Sequence, residues 1–376
     1  MNLRIAGMGW VTPLGRGLDA VWKLLLDGAE AKAETISNGP TGRPYPLFPV
    51  PALTAKNLPP HPRLRRSSAI SRFAAAAGLD ALEHARQSDI SINLERMALV
   101  FAVSNGGVIY TKRFYHDIVM SGAEAASPLL FPETVFNAPA SHLAAILGIT
   151  GASYTLVGDG AVGISALKMG ADLLSSNQNF DSCLVVGAEE ADWLLCDAYH
   201  RWRLLKDHPP VELFCDPPRG MILSEGAGAI LLARTGKVTI DSIHAGQIFF
   251  RRSDARKCVR QIIADLHRQQ TGVFIASANG TFIDEAERAG VLELIPESIV
   301  YAPKTALGES VGASAIWQVI VAAQALQTGR VPALRHTSPR RGLQIRSDTA
   351  AEFSSPSSIV SSCSLNQQAS GIRLSL

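Results

Sequence analysis

The chain has 376 residues, 47% of them hydrophobic and 18% charged, and its 35 Lys and Arg stand against 33 Asp and Glu for a formal net charge of +2. That length and apolar content can bury one large core or two fused halves, since separate domains usually run about 100–200 residues each. The charges are dispersed rather than clustered, which excludes the electrostatic footprint of a nucleic-acid or anionic-membrane binder.

The opening MNLRIAGMGWVTPLG sets glycines and a proline where a secretion signal needs an unbroken apolar stretch. No window approaches the roughly 18 consecutive apolar residues of a spanning helix, so a cytoplasmic protein with no membrane partner is expected. Residues 2–9 alternate short apolar groups with glycines and read as a strand, and 19–26 carry apolar residues at helical spacing. Residues 68–84 are alanine-rich with apolar steps of three and four, a helix packed closely on something flat. A short buried strand at 97–103 follows, closed by the turn-forming run Ser104-Asn105-Gly106-Gly107.

Between 112 and 137 the periodicity weakens, and residues 127–139 hold three prolines around two phenylalanines. That composition predicts an ordered loop, a candidate functional segment. Residues 153–157 read as a strand, Gly158-Asp159-Gly160 as a sharp turn and 161–174 as a helix of small and apolar residues. Further strands are read at 182–186, 226–232 and 273–276, and a helix at 314–326. Alternating strands and helices predict parallel sheets sandwiched by helices. The stretches 56–66 and 327–358, rich in Pro, Arg and Ser, read as surface excursions.

Five cysteines, Cys183, Cys196, Cys215, Cys258 and Cys363, are odd in number and never in a CxxC pair, so neither a disulfide frame nor a zinc site is indicated. They read as reduced and mostly buried. No metal and no cofactor is expected.

Several segments together, in matching order, resemble the β-ketoacyl synthases of the thiolase superfamily. The run from Ile5 to Gly15 resembles that family's first strand and turn, and Ser104-Asn105-Gly106-Gly107 its second glycine turn. FCDPPRGMILSEGAGAILL, residues 214–232, is similar to the family's stretch of Asp, Arg, Gly and then Glu-Gly-Ala-Gly before a strand, and is the most specific match. The likeness weakens between 238 and 271 and in the last dozen residues. It implies an α/β chain with the thiolase-like five-layer αβαβα fold, two similar halves with mixed, mostly parallel sheets. The halves would be 1–235, with an interface loop at about 105–140, and 236–376. It also implies a dimer with an acyl tunnel near the interface, and a nucleophilic Cys at a strand-to-helix elbow with two His nearby. Helix N-terminal amides stabilise such a thiolate, and the histidines assist malonyl decarboxylation and hold the enolate.

Matching 151–155 to the family's pre-elbow strand puts the nucleophile position at Gly160, flanked by Asp159 and Ala161. The first histidine of the family sits in His-Gly-Thr, which here reads Asn279-Gly280-Thr281. The second lies in Lys-x-x-x-Gly-His-Ser, matched by residues 304–310, where Lys304 remains and the histidine has become Glu309. A glycine cannot be acylated and an amide cannot serve as base, so no catalytic residue is expected at these three positions. The family's C-terminal glycine-rich Phe gate would fall near 365–371, LNQQASG, and is absent.

Two readings of the remnant stand side by side. Asp159 and Glu309 could face one another as a carboxylate pair with separated pKa values suited to acid–base work. Alternatively Glu309 pairs with Lys304 or Asn279 as a polar filler, and Asp159 caps the following helix. His142, in an apolar helical run, and His200, among aromatics, read as fillers.

A fold retained without its site implies that its surface is what is used. The resemblance is then to the inactive chain-length factors, which pair with an active ketosynthase and shape a shared acyl tunnel in polyketide, aryl polyene or fatty-acid-like biosynthesis. It implies a heterodimer with such a ketosynthase, and an acyl carrier protein docked on the active partner. Thr134, Val135, Phe136 and Asn137 would line the tunnel at the interface, with Phe136 blocking elongation unless it merely fills its own core. One alternative is a malonyl decarboxylase or hydrolase in a remodelled pocket. The decarboxylating relatives usually carry glutamine at the nucleophile position and keep their histidines, and this chain does neither. Another is a non-catalytic homodimeric scaffold that binds acyl chains or carrier protein.

Overall fold

Ten strands form the continuous path of the twelve-stranded central sheet of the computed structural model, which describes residues 3–37, 39–52, 58–65, 67–176, 178–268, 271–338, 342–345 and 349–376. In chain order they are β1 (Leu3–Thr12), β2 (Met97–Val103), β3 (Ser153–Val157), β4 (Ser182–Glu189), β5 (Gly226–Ala233), β6 (Val238–Ile243), β7 (Val273–Ile275), β8 (Ile299–Tyr301), β9 (Ser357–Cys363) and β10 (Gln368–Ser375). Across the sheet they run β8-β7-β9-β10-β6-β1-β5-β4-β2-β3. Numbered from its own first strand, each set of five has the order third, second, fourth, fifth, first. The two halves are therefore topologically alike, and β1 meets β6 antiparallel at the seam, with Leu3 opposite Ile240.

Within the first half β5 opposes both β1 and β4, while β4, β2 and β3 run parallel. The second half repeats this: β10 opposes β6 and β9, and β9, β7 and β8 are parallel. In each half four strands share one direction and the last opposes them, which makes the sheet mixed.

The helices are α1 (Leu18–Leu26), α2 (Ala69–Gln87), α3 (Val108–Ser121), α4 (Ala138–Leu147), α5 (Val162–Ser176), α6 (Trp193–Arg201), α7 (Ala255–Leu266), α8 (Ile283–Leu294) and α9 (Val311–Thr328). Along β2, Leu99, Phe101 and Val103 join the core with α2 and α4, while Ala98, Val100 and Ala102 join the opposite core with α5 and α9. That is the period-2 alternation of a strand covered on both faces. Helix α9 also packs on β7 and β9 of the second half, whose outer face is covered by α7 against β10, with α8 packed on α7. The layers are helix, sheet, helix, sheet, helix.

The glycines of β1 have a steric cause. A Cβ on Gly7 would stand 2.1 Å from the carbonyl oxygen of Ala81, and one on Gly9 2.3 Å from that of Ala77. The α2 backbone therefore lies almost on the strand, and its alanines are the buried face that allows it.

Three expectations need correction. The weak periodicity from 112 onward is helical: α3 runs from Val108 to Ser121, and its apolar residues are spread over partly buried and exposed positions with none fully buried, so the pattern is blurred. The loop at 127–139 is shorter than expected: it contains a 3₁₀ turn, Phe131–Thr134, and Ala138 and Pro139 already belong to α4, where proline is tolerated in the first turn. The excursion at 327–358 is not all surface: Val331 and Leu334 are buried, and its last two residues open β9. Within the two excursions, residues 56–57, 66, 339–341 and 346–348 lie outside the described residues. Four of the five cysteines are buried and all are free, with Cys215 at intermediate depth. Among the described residues no helix is long and apolar enough to cross a membrane.

Candidate functional site

Strand β3 ends at Val157, and the chain turns through Gly158, Asp159 and Gly160 into α5. The amides at a helix start have no partner within the helix and must find one elsewhere. Here the Gly160 amide donates to Asp159 Oδ1 at 2.7 Å, the Ala161 amide to Ser364 Oγ at 3.0 Å, and the Val162 amide to the Asp159 carbonyl at 2.7 Å. All three are satisfied from within the chain. A Cβ at Gly160 would find its nearest neighbours, Cys363 O and Ser364 Cα, at 3.5 Å, so there is room for a side chain where none stands.

Asn279, Gly280 and Thr281 follow β7 and lead into α8. The Asp284 carboxylate, at the start of that helix, accepts from the amides of Phe214, Asn279 and Gly280. Burial pushes Asp284 up to about 7 against the pull of those amides. Gly280 has φ +88, and a Cβ there would lie 2.4 Å from Gly220 O, so the turn admits only glycine.

Glu309 follows β8 and a short helical turn, Lys304–Leu307. Its Oε2 accepts from Asn279 Nδ2 and from Lys304 Nζ, each at 2.7 Å, and both ion-pair side chains are only 2% exposed. Asn279 Oδ1 in turn accepts from Thr281 Oγ1 at 2.6 Å. Both ends of the amide are thus engaged. The other Glu309 oxygen, Oε1, is buried with no protein partner.

Asp159 stands near enough to this group that the Glu309 charge raises its pKa and the Lys304 charge lowers it. Burial is the largest influence and lifts Asp159 to about 6, opposed by the amides of Gly160 and Asn366. It sits at the wall of a cavity of about 620 Å³ that is also lined by Asn105, Tyr199, Trp202, Phe250 and Asn366. Asn279, Glu309 and Lys304 therefore form one hydrogen-bonded polar group, and Asp159, bonded to the Gly160 amide at the cavity wall, stands near enough to feel its charges. Among the described residues no cluster of three or more His, Cys, Asp or Glu could hold a metal.

Glu189, at the end of β4, ties this region together. It accepts from the amides of Ser104, Asn105 and Gly312, joining the glycine turn to the start of α9. Its neighbour Glu190 accepts from the amides of Ile70 and Ile109. Burial pushes Glu189 up to about 8 and Glu190 up to about 7, against the pull of those amides. Both carboxyls keep their protons to higher pH folded than unfolded. Their contribution to stability is therefore fully present below about pH 4 and is lost as pH rises through the folded values, at up to about 1.4 kcal/mol per pH unit for each group. The melting temperature is expected to fall between about pH 5.5 and 8.5, less steeply in Glu189→Gln. A melting temperature that rises across this range would contradict the assignment.

Thr134, Val135, Phe136 and Asn137 are not part of the polar group. They lie on the surface beside the glycine turn, and Phe136 is 47% exposed, outside the hydrophobic core clusters. One edge of its ring rests on Gly106, whose Cβ would meet Phe136 Cδ1 at 2.9 Å and whose φ is +66. Thr134 Oγ1 donates to Phe131 O at 2.8 Å. Beneath them the buried Glu133 accepts from the Ser68 amide and meets His142 Nε2 at 2.5 Å, so His142 anchors the segment. His200 packs its ring against Tyr45, centroids 5.8 Å apart.

Large apolar side chains are also exposed on α3 and on the segment packed against it, where the rings of Phe114 and Phe131 meet. Tyr115, Val119 and Met120 of α3, and Leu129 and Phe131 after it, are exposed, as are Tyr154 and Val157 of β3. Strand β3 ends the sheet and pairs only with β2 among the described residues.

Sequence reasoning missed Asn105, Tyr199, Ser364 and Asn366 as parts of the site. A signal existed for three of them, because Asn105 lies in the Ser104–Gly107 turn and Asn366 within, and Ser364 just before, the stretch 365–371 matched to the glycine-rich gate. Tyr199 reaches the cavity from α6 and has no motif around it.

Residues 59–237 match the family model described as the N-terminal domain of β-ketoacyl synthases. The chain is 22% identical over 379 residues to 3-oxoacyl-[acyl-carrier-protein] synthase 2 of Vibrio harveyi, covering 91% of this chain and 90% of that protein. Among solved structures it is similar to the ishigamide ketosynthase/chain length factor, with a TM-score of 0.86 at 20% identity over 99% of this chain and 98% of that one. It is also similar to the ketosynthase ApeO in complex with its chain length factor ApeC from Xenorhabdus doucetiae, with a TM-score of 0.82 at 17% identity over 100% and 98% of the two chains.

Proposed function

Because residues 59–237 carry the β-ketoacyl synthase N-terminal domain and the whole chain has the thiolase-like ketosynthase fold, we propose that it serves as a non-catalytic ketosynthase-like subunit, a chain-length factor. In this reading it pairs with an active ketosynthase through the face built by α3, the segment 122–137 and the free edge of β3. The partner carries the acyl chain and receives the acyl carrier protein. Gly160, Asn279 and Glu309 are the positions at which nucleophile and histidines have been replaced.

The observation that carries the reading is the apolar face. Tyr115, Val119, Met120, Leu129, Phe131, Val135 and Phe136 are all more than a third exposed on neighbouring segments, and the free edge of β3 adds a row of unpaired backbone groups. A soluble chain rarely leaves such a patch and such an edge uncovered. The known structures of an ishigamide ketosynthase/chain length factor and of ApeO with ApeC support a partner of this kind.

Co-expression with a ketosynthase encoded alongside it, followed by size-exclusion chromatography, tests the pairing. A stable one-to-one complex is the expected result, and a stable homodimer that refuses the ketosynthase would favour a homodimeric scaffold instead. Within the complex, Phe136→Ala removes an exposed ring from the segment that faces the partner. It is expected to shift products toward longer chains, because a bulky ring in a closed apolar tunnel opposes each added unit by about 1–3 kcal/mol. An unchanged product profile would remove Phe136 from that role.

A further inference from the structure

Of residues 122 to 137, Glu133 alone is buried, while Leu129, Phe131, Val135 and Phe136 are exposed. That reverses the usual sorting, in which large apolar side chains go inside and a carboxylate is almost never buried unless paired. The partners of Glu133 account for it. Its Oε2 accepts from the amide of Ser68, just before α2, at 3.4 Å, and its Oε1 meets Nε2 of His142, on α4, at 2.5 Å. The other nitrogen of that ring, Nδ1, is buried without a hydrogen-bond partner, so the proton sits on Nε2 and is donated to the carboxylate. The main chain is seated closely at the same residue, since a Cβ on Gly107 would stand 2.6 Å from Glu133 O. The ring of Phe131 meets that of Phe114 at 5.8 Å and still stays more than half exposed. One carboxylate thus ties the segment to the start of α2 and to α4, where none of the segment's own apolar side chains is buried.

We propose that Glu133 is a positioning residue: clamped by His142 and the Ser68 amide, it seats the segment 127–137 with Leu129, Phe131, Val135 and Phe136 held outward, as the surface offered to a partner. The clamp belongs to the single chain. That its outward side chains meet a ketosynthase rests on the pairing proposed above.

Hydrogen exchange of the full chain, read by mass spectrometry over residues 127–138, tests the clamp without a partner. The amides of Leu130, Phe131, Glu133 and Ala138 donate to carbonyls within the segment, so they should exchange slowly in the wild type. Glu133→Ala loses the acceptor and His142→Phe the donor, and in both the segment should exchange at least about tenfold faster while β2 is unchanged. His142→Gln keeps a side-chain N–H to donate and should stay protected. Unchanged exchange in either losing variant overturns the proposal, as does an unprotected wild-type segment, a His142→Gln as labile as His142→Phe, or a loss spread equally over β2. Should Glu133→Ala fail to fold, the contrast between His142→Phe and His142→Gln carries the test. Association with the ketosynthase is the second readout: Glu133→Ala should bind at least about tenfold more weakly than the wild type, and His142→Gln like the wild type. Wild-type affinity in Glu133→Ala overturns the positioning role and leaves the pairing standing. A wild-type chain that does not pair overturns the pairing, and the exchange result then decides the clamp by itself.

Discussion

Assayed alone with an acyl donor and a malonyl carrier protein, the chain is expected to make no β-ketoacyl product above background. The proposed pair with an active ketosynthase is expected to make it at least about 10³-fold faster. The argument is stoichiometric before it is energetic. Condensation on an enzyme of this fold needs a side chain to carry the acyl group, and Gly160 has none. It also needs imidazoles beside the nucleophile, where Asn279 and Glu309 are instead engaged with each other, with Thr281 and with Lys304. Residues of one catalytic unit are strongly non-additive, so restoring a single member recovers little. Gly160→Cys is sterically permitted, its Cβ neighbours being 3.5 Å away, yet it should remain inactive alone. Its thiolate would find the Gly160 amide already donated to Asp159 and the Ala161 amide to Ser364. Product from the wild-type chain alone would overturn the non-catalytic reading. It would then direct attention to Asp159, which burial lifts to about 6 and which could exchange a proton near neutrality.

The largest effect on stability is expected from Glu309→Ala. Lys304 and Glu309 are each only 2% exposed, and the carboxylate holds both the ammonium and the Asn279 amide through one oxygen. Taking away the carboxylate strands the ammonium in a dry site and leaves the Asn279 donor without its acceptor. Breaking a buried pair from one side typically costs about 3–5 kcal/mol, most of it the price of the uncompensated charge. Urea unfolding of the variant should therefore show a loss in that range. The double replacement Lys304→Met with Glu309→Leu should recover much of it, since an apolar pair of similar volume restores packing without a charge to desolvate. A loss under about 1 kcal/mol for Glu309→Ala would mean that water reaches Lys304 and that the pair is not sealed.

Much of the frame was legible in the sequence because backbone periodicity and close packing write themselves into residue types. The strand at 97–103 has the bounds expected of it, since its residues are all buried and β-compatible. The glycines of β1 and the alanines of α2 belong to one contact, a helix backbone lying within about a side chain's width of a strand, and both patterns could be seen before their partner was known. Gly160, Asn279 and Glu309 could be picked out as candidates too, because each sits in a run of glycines and small residues. Gly280, with φ +88 and Gly220 O close by, is such a residue.

Tertiary structure alone decided the rest. Helix α3 has no fully buried residue, its apolar side chains being spread over partly buried and exposed positions, and only the tertiary structure shows that Phe114 packs on Phe131 of the following segment. The likeness of the two halves is a likeness of strand order, which hydrogen-bond pairing creates and no short-period repeat announces. The composition of the site was likewise hidden: the start of α5 and Ser364 are 203 residues apart in the chain, and they meet because β9 and β10 turn back beside the helix. Sequence determined which chemical groups the chain owns. Folding decided that the carboxylate of one would satisfy the amides of another, because a buried donor must find an acceptor and the nearest one available was the chain's own.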